Sequence, residues 1–182
     1  MVQLRIMRIV AGSARGRKLI LPTNSGIRPT KDRVREAIFN SLHSYGLVED
    51  RQFLDLFAGT GSLGLEALSR GASSVVFVDN NDLAIDAIKQ NSKILNFIQD
   101  VEIRRQDAMA YLSETRHFDV ALLDPPYNFE MWDELTSQIN SSAVVVESSQ
   151  KVSLGRSWAI IKEQSYGQTN VVIAVNEGVK TL

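Results

Sequence analysis

From residue 52 onward, short apolar runs alternate with segments whose apolar residues recur at helical spacing. "QFLDLF" has the length of a buried strand, and "GSLGLEALSRG" follows as a helix that Gly71 stops. "SVVFVD" repeats the strand pattern, with the helix "NDLAIDAIKQNSKIL" behind it. "VEIRRQD" and the short helix "AMAYLSE" come next, then the strand "FDVALLD", the helix "FEMWDELTSQI" and the strand "SAVVVE". The last stretch, "SWAIIKEQSYGQTNVVIAV", reads as two strands with no helix between them. Alternating β-α units ending in a hairpin-like pair predict an α/β protein. Its sheet is doubly wound, open and mostly parallel, with one antiparallel strand near the C-terminus.

The region ahead of this body has a different rhythm. "LRIMRIV" and "RKLIL" read as the two strands of a small β-hairpin joined by "AGSARG". In "RPTKDRVREAIFNSLHSY", Pro29-Thr30 marks a helix entry, and Val34, Ile38 and Leu42 fall one turn apart on one face. The organisation expected is therefore an N-terminal hairpin plus helix over residues 1–45 and a main domain over 46–182. No internal repeat or low-complexity segment interrupts either part.

Charge sharpens that division. Residues 1–35 carry nine Lys/Arg (Arg5, Arg8, Arg15, Arg17, Lys18, Arg28, Lys31, Arg33, Arg35) against one acid, Asp32, whereas residues 36–182 carry eleven basic and twenty acidic residues. A basic arm on an acidic body suggests a polyanion met by the arm, although a solvated basic hairpin gives the same count. The absence of cysteine excludes disulfides, thiolate catalysis and thiolate metal sites. No apolar run approaches a membrane span and no signal-peptide core is present, so a cytoplasmic protein without a membrane partner is expected.

In open α/β sheets ligands bind at the carboxyl ends of the strands, and polar residues cluster there in this chain. After the first strand of the body come Asp55 and Phe57-Ala58-Gly59-Thr60-Gly61. Small residues there let backbone N–H groups approach a ligand next to a helix N-terminus. Gly59, Gly61 and Gly64 make a literal G-x-G-x-x-G, which alone suits a dinucleotide as well as any other nucleotide-like ligand. Asp79 ends the second strand, where a carboxylate can accept both hydroxyls of a ribose. Asp107-Ala108 follows the third strand, placed to meet an adenine edge; Asp79 and Asp107 could equally cap the helices that follow them.

The fourth strand ends in Asp124-Pro125-Pro126-Tyr127. Two prolines remove two N–H donors and fix φ twice, leaving a stiff loop with exposed carbonyls, one carboxylate and one aromatic face. Asp124 and the Pro125 carbonyl are acceptors suited to a planar –NH2, and Tyr127 offers a ring on which a flipped-out base can stack. An exocyclic amine is a poor nucleophile because its lone pair is conjugated. Acceptors on its hydrogens favour a pyramidal nitrogen, so catalysis there is mostly positioning and charge stabilisation, with no metal required. His43 and His117 lie outside this strand-end set, and surface or packing roles are expected for both.

"DLFAGTGSLG", Asp79, Asp107 and "DPPY", in this order, resemble the class I S-adenosylmethionine-dependent methyltransferases that act on exocyclic amines. With "MRIVAGSARGRKL", "RPTKDRVREAIFNSL", "FLDLFAGTGSLGLEALSRGA" and "VVVESS", nearly the whole chain resembles the bacterial 16S rRNA guanine-N2 methyltransferase family, the RsmD type. The resemblance implies a Rossmann-like fold, with S-adenosylmethionine as cofactor and 16S rRNA in an assembled or partly assembled small ribosomal subunit as partner. It implies that Phe57, Ala58, Gly59, Thr60 and Gly61 hold the methionine part, with Asp55 orienting their loop. It gives Asp79 and Asn80 to the ribose, Asp107 and Ala108 to the adenine, and Thr30 and Arg33 to the closure over the methionine end. Asp124, Pro125, Pro126 and Tyr127 would receive the guanine amine, and Arg8, Arg15, Arg17, Lys18 and Arg28 would meet rRNA phosphates. The same tetrapeptide chemistry serves adenine N6, which stays open as an acceptor, as does a non-catalytic RNA-binding assembly factor. A nicotinamide oxidoreductase fits poorly with the Pro-Pro-Tyr loop. A monomer is expected.

Overall fold

In a computed structural model of the chain, which describes residues 7–22 and 30–178, the apolar runs of the body assemble into one seven-stranded sheet. Its strands are β3 (Gln52–Leu56), β4 (Ser74–Asp79), β5 (Val101–Arg105), β6 (Phe118–Leu123), β7 (Ser141–Ser148), β8 (Trp158–Tyr166) and β9 (Thr169–Asn176). The order across the sheet is β5-β4-β3-β6-β7-β9-β8. The pairs from β5 to β7 are parallel. β9 runs antiparallel to both β7 and β8, so it is the one reversed strand, as the sequence predicts.

Consecutive strand residues point to opposite faces, and both faces are covered. Phe53, Phe77, Val120, Leu122, Val145 and Ile173 pack on one side, together with Val34, Ile38, Phe39 and Leu42 of α1 (Asp32–Ser44), Leu65 of α2 (Ser62–Ser69) and Ile88 of α3 (Asp82–Leu95). Leu54, Leu56, Val76, Val78, Leu123, Val144 and Val146 pack on the other, against Tyr111 of α4 (Ala108–Leu112) and Leu135 of α5 (Trp132–Gln138). Burial on both faces is why the strands read as continuous apolar runs rather than as alternating ones. The chain leaves β3 first for β4 and β5 on one side and later for β6 and β7 on the other. The crevice at this reversal, beyond the carboxyl ends of β3 and β6, is where such sheets hold ligands.

β1 (Met7–Arg8) and β2 (Lys18–Leu19) form the expected hairpin, and its connecting loop is seated on α2. Val10 and Ala11 donate their N–H groups to Glu66 Oε2 and Oε1 at 2.8 and 3.0 Å. Ser13 N–H donates to Ser69 O at 2.7 Å. Gly12, at φ +83°, lies so close that a Cβ built there would sit 1.7 Å from Ser69 O. The hairpin core joins that of the main sheet through Met7, Ile9, Ala14 and Leu19.

Arg35 requires a correction to the charge count. It is fully buried, contacts Glu66 Oε2 at 3.4 Å and Asp32 Oδ1 at 3.0 Å, and donates to the carbonyl of Arg8. Its charge belongs to the interior rather than to the basic surface of the arm. Two helices also begin later than their sequence patterns suggest. α1 starts at Asp32, with Lys31 at its N-cap. α5 starts at Trp132, because Phe129 N–H instead closes a turn onto Pro126 O at 2.9 Å. Among the described residues no helix is long and apolar enough to cross a membrane.

Candidate active site

A cavity of about 690 Å³ opens at the carboxyl ends of the central strands. That volume lies inside the range typical of small-molecule sites. Asp55 sits within β3 rather than after it. It is buried and accepts Gly64 N–H through Oδ2 at 2.9 Å. Burial pushes its carboxyl up to about 7; the Gly64 hydrogen bond opposes the rise and the charge of Asp79 adds to it. Phe57 and Ala58 both donate to Val78 O, at 3.1 and 3.0 Å, which ties the loop to the end of β4. Phe57 takes φ 70°, a left-handed conformation that bulky residues avoid, so the backbone is strained at the cavity wall. Gly61, at φ 76°, is the N-cap of α2. Gly64 serves packing instead. A Cβ there would lie 2.4 Å from the Phe77 ring, so this glycine lets α2 sit flush on β4.

Asp79 is held from both sides. Its Oδ2 accepts Gly59 N–H at 2.8 Å and its Oδ1 accepts Asn81 N–H at 2.9 Å. Each oxygen keeps a further lone pair, so the carboxylate is a fixed double acceptor at the cavity wall. The N-cap of α3 is Asn81, not Asp79. Asp107 does cap α4, through Oδ1 alone, to Met109 and Ala110 N–H at 2.9 and 3.1 Å. Asn80, Gln106, Ala108 and Met109 line the same stretch.

The far end of the cavity is built from β6, β7 and the entry to α1. Asp124, Pro125, Pro126 and Tyr127 line it, with Tyr127 57% exposed at the mouth. Thr30 Oγ1 lies 3.2 Å from Asp124 Oδ2 and 2.9 Å from Glu147 Oε2. Burial, then the charge of Glu147, drives the Asp124 carboxyl well above the usual range; the Thr30 hydrogen bond opposes this and Asp55 adds to it. Burial likewise raises Glu147, against the Thr30 hydrogen bond and the charge of Arg35. Beyond Tyr127, Phe129 meets Phe57 edge-on at 5.4 Å and Trp132 edge-on at 5.2 Å, forming an aromatic wall.

The structure thus brings Thr30, Asp55, the Phe57–Thr60 loop, Asp79, Asn80, Asp107, Ala108 and the Asp124–Tyr127 loop to one cavity, whereas Gly61 is not in its lining and packs against Leu65, Phe77 and Ile88 as the N-cap of α2. Arg33 stands apart: it is exposed at the second residue of α1, and Lys31 lines the cavity in its place. Arg8, Arg15, Arg17 and Lys18 are exposed on the hairpin, away from the cavity lining. Arg8 pairs with Asp32 at 3.5 Å, and Arg17 donates to the carbonyl of Ile94. Arg28 lies outside the described residues. The sequence reading missed Glu147 and the wall of Phe129, Met131 and Trp132. Glu147 had a signal, since it ends the "VVVE" run and so obeys the same strand-end rule as Asp79.

The family model described as conserved hypothetical protein 95 matches residues 7–175. The chain is 35% identical over 174 residues to ribosomal RNA small subunit methyltransferase D of Haemophilus influenzae, covering 88% of this chain and 89% of that protein. It is 33% identical to the protein of the same name from Escherichia coli K12, over 89% of this chain and 86% of the relative. The solved structure of the Escherichia coli protein yhhF superposes with a TM-score of 0.83 at 31% identity, covering 94% of this chain and 98% of that one.

Proposed function

This chain belongs to the family described as conserved hypothetical protein 95, and we propose that it transfers the methyl group of S-adenosylmethionine to a guanine N2 amine in small-subunit 16S rRNA. The observation that carries this reading is the continuity of one cavity from Asp107 through Asp79 and the Gly59 loop to Asp124–Tyr127. A nucleoside-binding half and an amine-binding half therefore share one space. The names of the relatives from Haemophilus influenzae and Escherichia coli support the same reaction class and an rRNA substrate.

The residues present suit the cofactor. Asp79, immobilised by two backbone amides, offers two acceptors to ribose hydroxyls, with Asn80 beside it. Asp107 and Ala108 border the adenine, while Phe57, Ala58, Gly59 and Thr60 face the methionine part, Gly61 lets that loop turn into α2, and Asp55 braces the loop against α2. Thr30, hydrogen-bonded to Asp124 and Glu147, closes the cavity where the methionine end would meet the amine site. When bound, the cofactor supplies a methyl group on a positively charged sulfonium. Asp124 and the rigid Pro125 carbonyl hold the hydrogens of the target amine, Pro126 keeps their loop stiff, and Tyr127 stacks on the flipped base. Acceptors at that point stabilise the positive charge that develops on the nitrogen.

The exposed hairpin residues Arg8, Arg15, Arg17 and Lys18, with Arg28, contact rRNA phosphates and set register without reading sequence. Residues 1–45 thus act as an RNA-binding extension packed on a catalytic domain at 46–182. The protein works as a cytoplasmic monomer on an assembled or partly assembled subunit.

Incubation with labelled S-adenosylmethionine and small subunits from a strain lacking the enzyme, followed by mass mapping of the modified nucleotide, tests the proposal. Label on one guanine N2 supports it. Label on adenine N6 overturns the acceptor, and absence of transfer overturns the enzymatic reading in favour of an assembly factor.

A further inference from the structure

At the amine end of the cavity two carboxylates converge on a single hydroxyl. Thr30 Oγ1 reaches Asp124 Oδ2 at 3.2 Å and Glu147 Oε2 at 2.9 Å. A threonine carries one O–H, so it satisfies one of these oxygens at a time, and among the described residues no other group donates to either carboxylate. The charge of Arg35 acts on Glu147, but Arg35 itself is held by Asp32, Glu66 and the carbonyls of Thr30 and Arg8. Burial raises both carboxyls, and the charge of Glu147 adds to the rise at Asp124. Such a pair is completed by a ligand that brings adjacent donors.

The edges of the bases differ in just this respect. Guanine places N1–H directly beside its N2 amine, giving neighbouring donors. Adenine places the N1 lone pair beside its N6 amine, and cytosine places the N3 lone pair beside its N4 amine. A lone pair turned toward a second carboxylate meets acceptor with acceptor, which a desolvated site penalises heavily.

We propose that Glu147 is the specificity-determining residue of the amine site, its carboxylate accepting guanine N1–H while Asp124 holds the N2 amine and Thr30 fixes the spacing of the two. The inference rests on the guanine-N2 reading given above and deepens it, since it supplies a chemical reason for rejecting adenine and cytosine. Asp124 alone grips any exocyclic amine. The second carboxylate, from β7, selects among them.

The test uses small subunits reconstituted with 2-aminopurine at the mapped target position. That base keeps the N2 amine and replaces N1–H with a lone pair. Wild-type protein is expected to prefer guanine by at least about 100-fold in kcat/KM, as sites built around a substrate N–H do. Glu147→Gln presents an amide N–H to the lone pair and is expected to cut that preference by about tenfold or more. A preference equal to that of the wild type overturns the proposal. Should Glu147→Gln transfer to neither base, its affinities for the two subunits in the presence of S-adenosylhomocysteine give the same ratio. An undiminished preference for guanine in those affinities overturns the proposal equally. The function reading fails separately: wild-type protein that leaves guanine unmodified sinks both, whereas wild-type transfer to guanine with an unchanged Glu147→Gln ratio sinks only the role of Glu147.

Discussion

Two carboxylate clusters feel the charge of Arg35, Glu66 in the interior and Asp124 with Glu147 half-buried at the cavity wall, and they are supplied with donors very differently. Glu66, on α2, accepts Val10 and Ala11 N–H and Arg70 Nε at 2.8 to 3.0 Å, with Arg35 at 3.4 Å as a further cation. Asp124 and Glu147 share one threonine hydroxyl. The first cluster is complete without a ligand and bolts the N-terminal hairpin to the body. The second has no further donor among the described residues and faces a cavity. Glu66 is the more deeply buried acid and also the better supplied with donors, so burial by itself does not single out a candidate site.

Substitutions at the two clusters should act on different quantities. Asp124→Ala is expected to lower methyl transfer by at least about 100-fold while the free protein keeps its stability within about 1 kcal/mol, because a repelling acceptor is removed. Steady-state transfer assays and urea denaturation read the two effects, and cofactor affinity by calorimetry should stay nearly constant. Glu66→Gln should do the reverse, costing about 3–5 kcal/mol of stability because two guanidinium groups lose their buried counter-charge. A loss below about 1 kcal/mol in denaturation would erase the distinction between the clusters.

A further buried acid, Asp55, sharpens the comparison through pH. Its native carboxyl titrates near 7, above its ordinary value of 3.8. Between those values the folded state keeps a proton that the unfolded state releases. Its contribution to stability is therefore full below about pH 4, declines as pH rises and is lost above about pH 7. Asp55→Asn keeps an acceptor for Gly64 N–H and should flatten that slope between about pH 4 and about pH 7 in denaturant titrations. A slope identical to wild type would place the titration elsewhere. The smallest effect is expected at the hairpin surface. Arg15→Ala with Arg17→Ala should lower the slope of log affinity against log salt for rRNA by about 1 to 2 and leave stability nearly unchanged. An unaltered salt slope would remove the hairpin from the RNA interface.

Much of this was legible along the chain. The strand and helix patterns located every element of the body, because a sheet covered on both faces must be made of apolar runs, and its ligand must sit at their ends. That rule picked out Asp79, Asp107 and Asp124. It stretched to Asp55, which lies inside its strand and braces the loop from within. Gly64 kept the spacing of a nucleotide-binding loop while the Phe77 ring beneath it accounts for its lack of a side chain.

Pairing across long sequence separations was decided only by the tertiary structure. Arg35 looked like one more charge of the basic arm, yet it is buried against Glu66, 31 positions downstream. Thr30 and Glu147 are 117 residues apart and meet through one hydrogen bond. Periodicity and strand-end position report what each segment does for itself, which is to bury one face and expose an end. Which acid has enough donors depends on chain that arrives from elsewhere in the fold, and no local pattern encodes that supply.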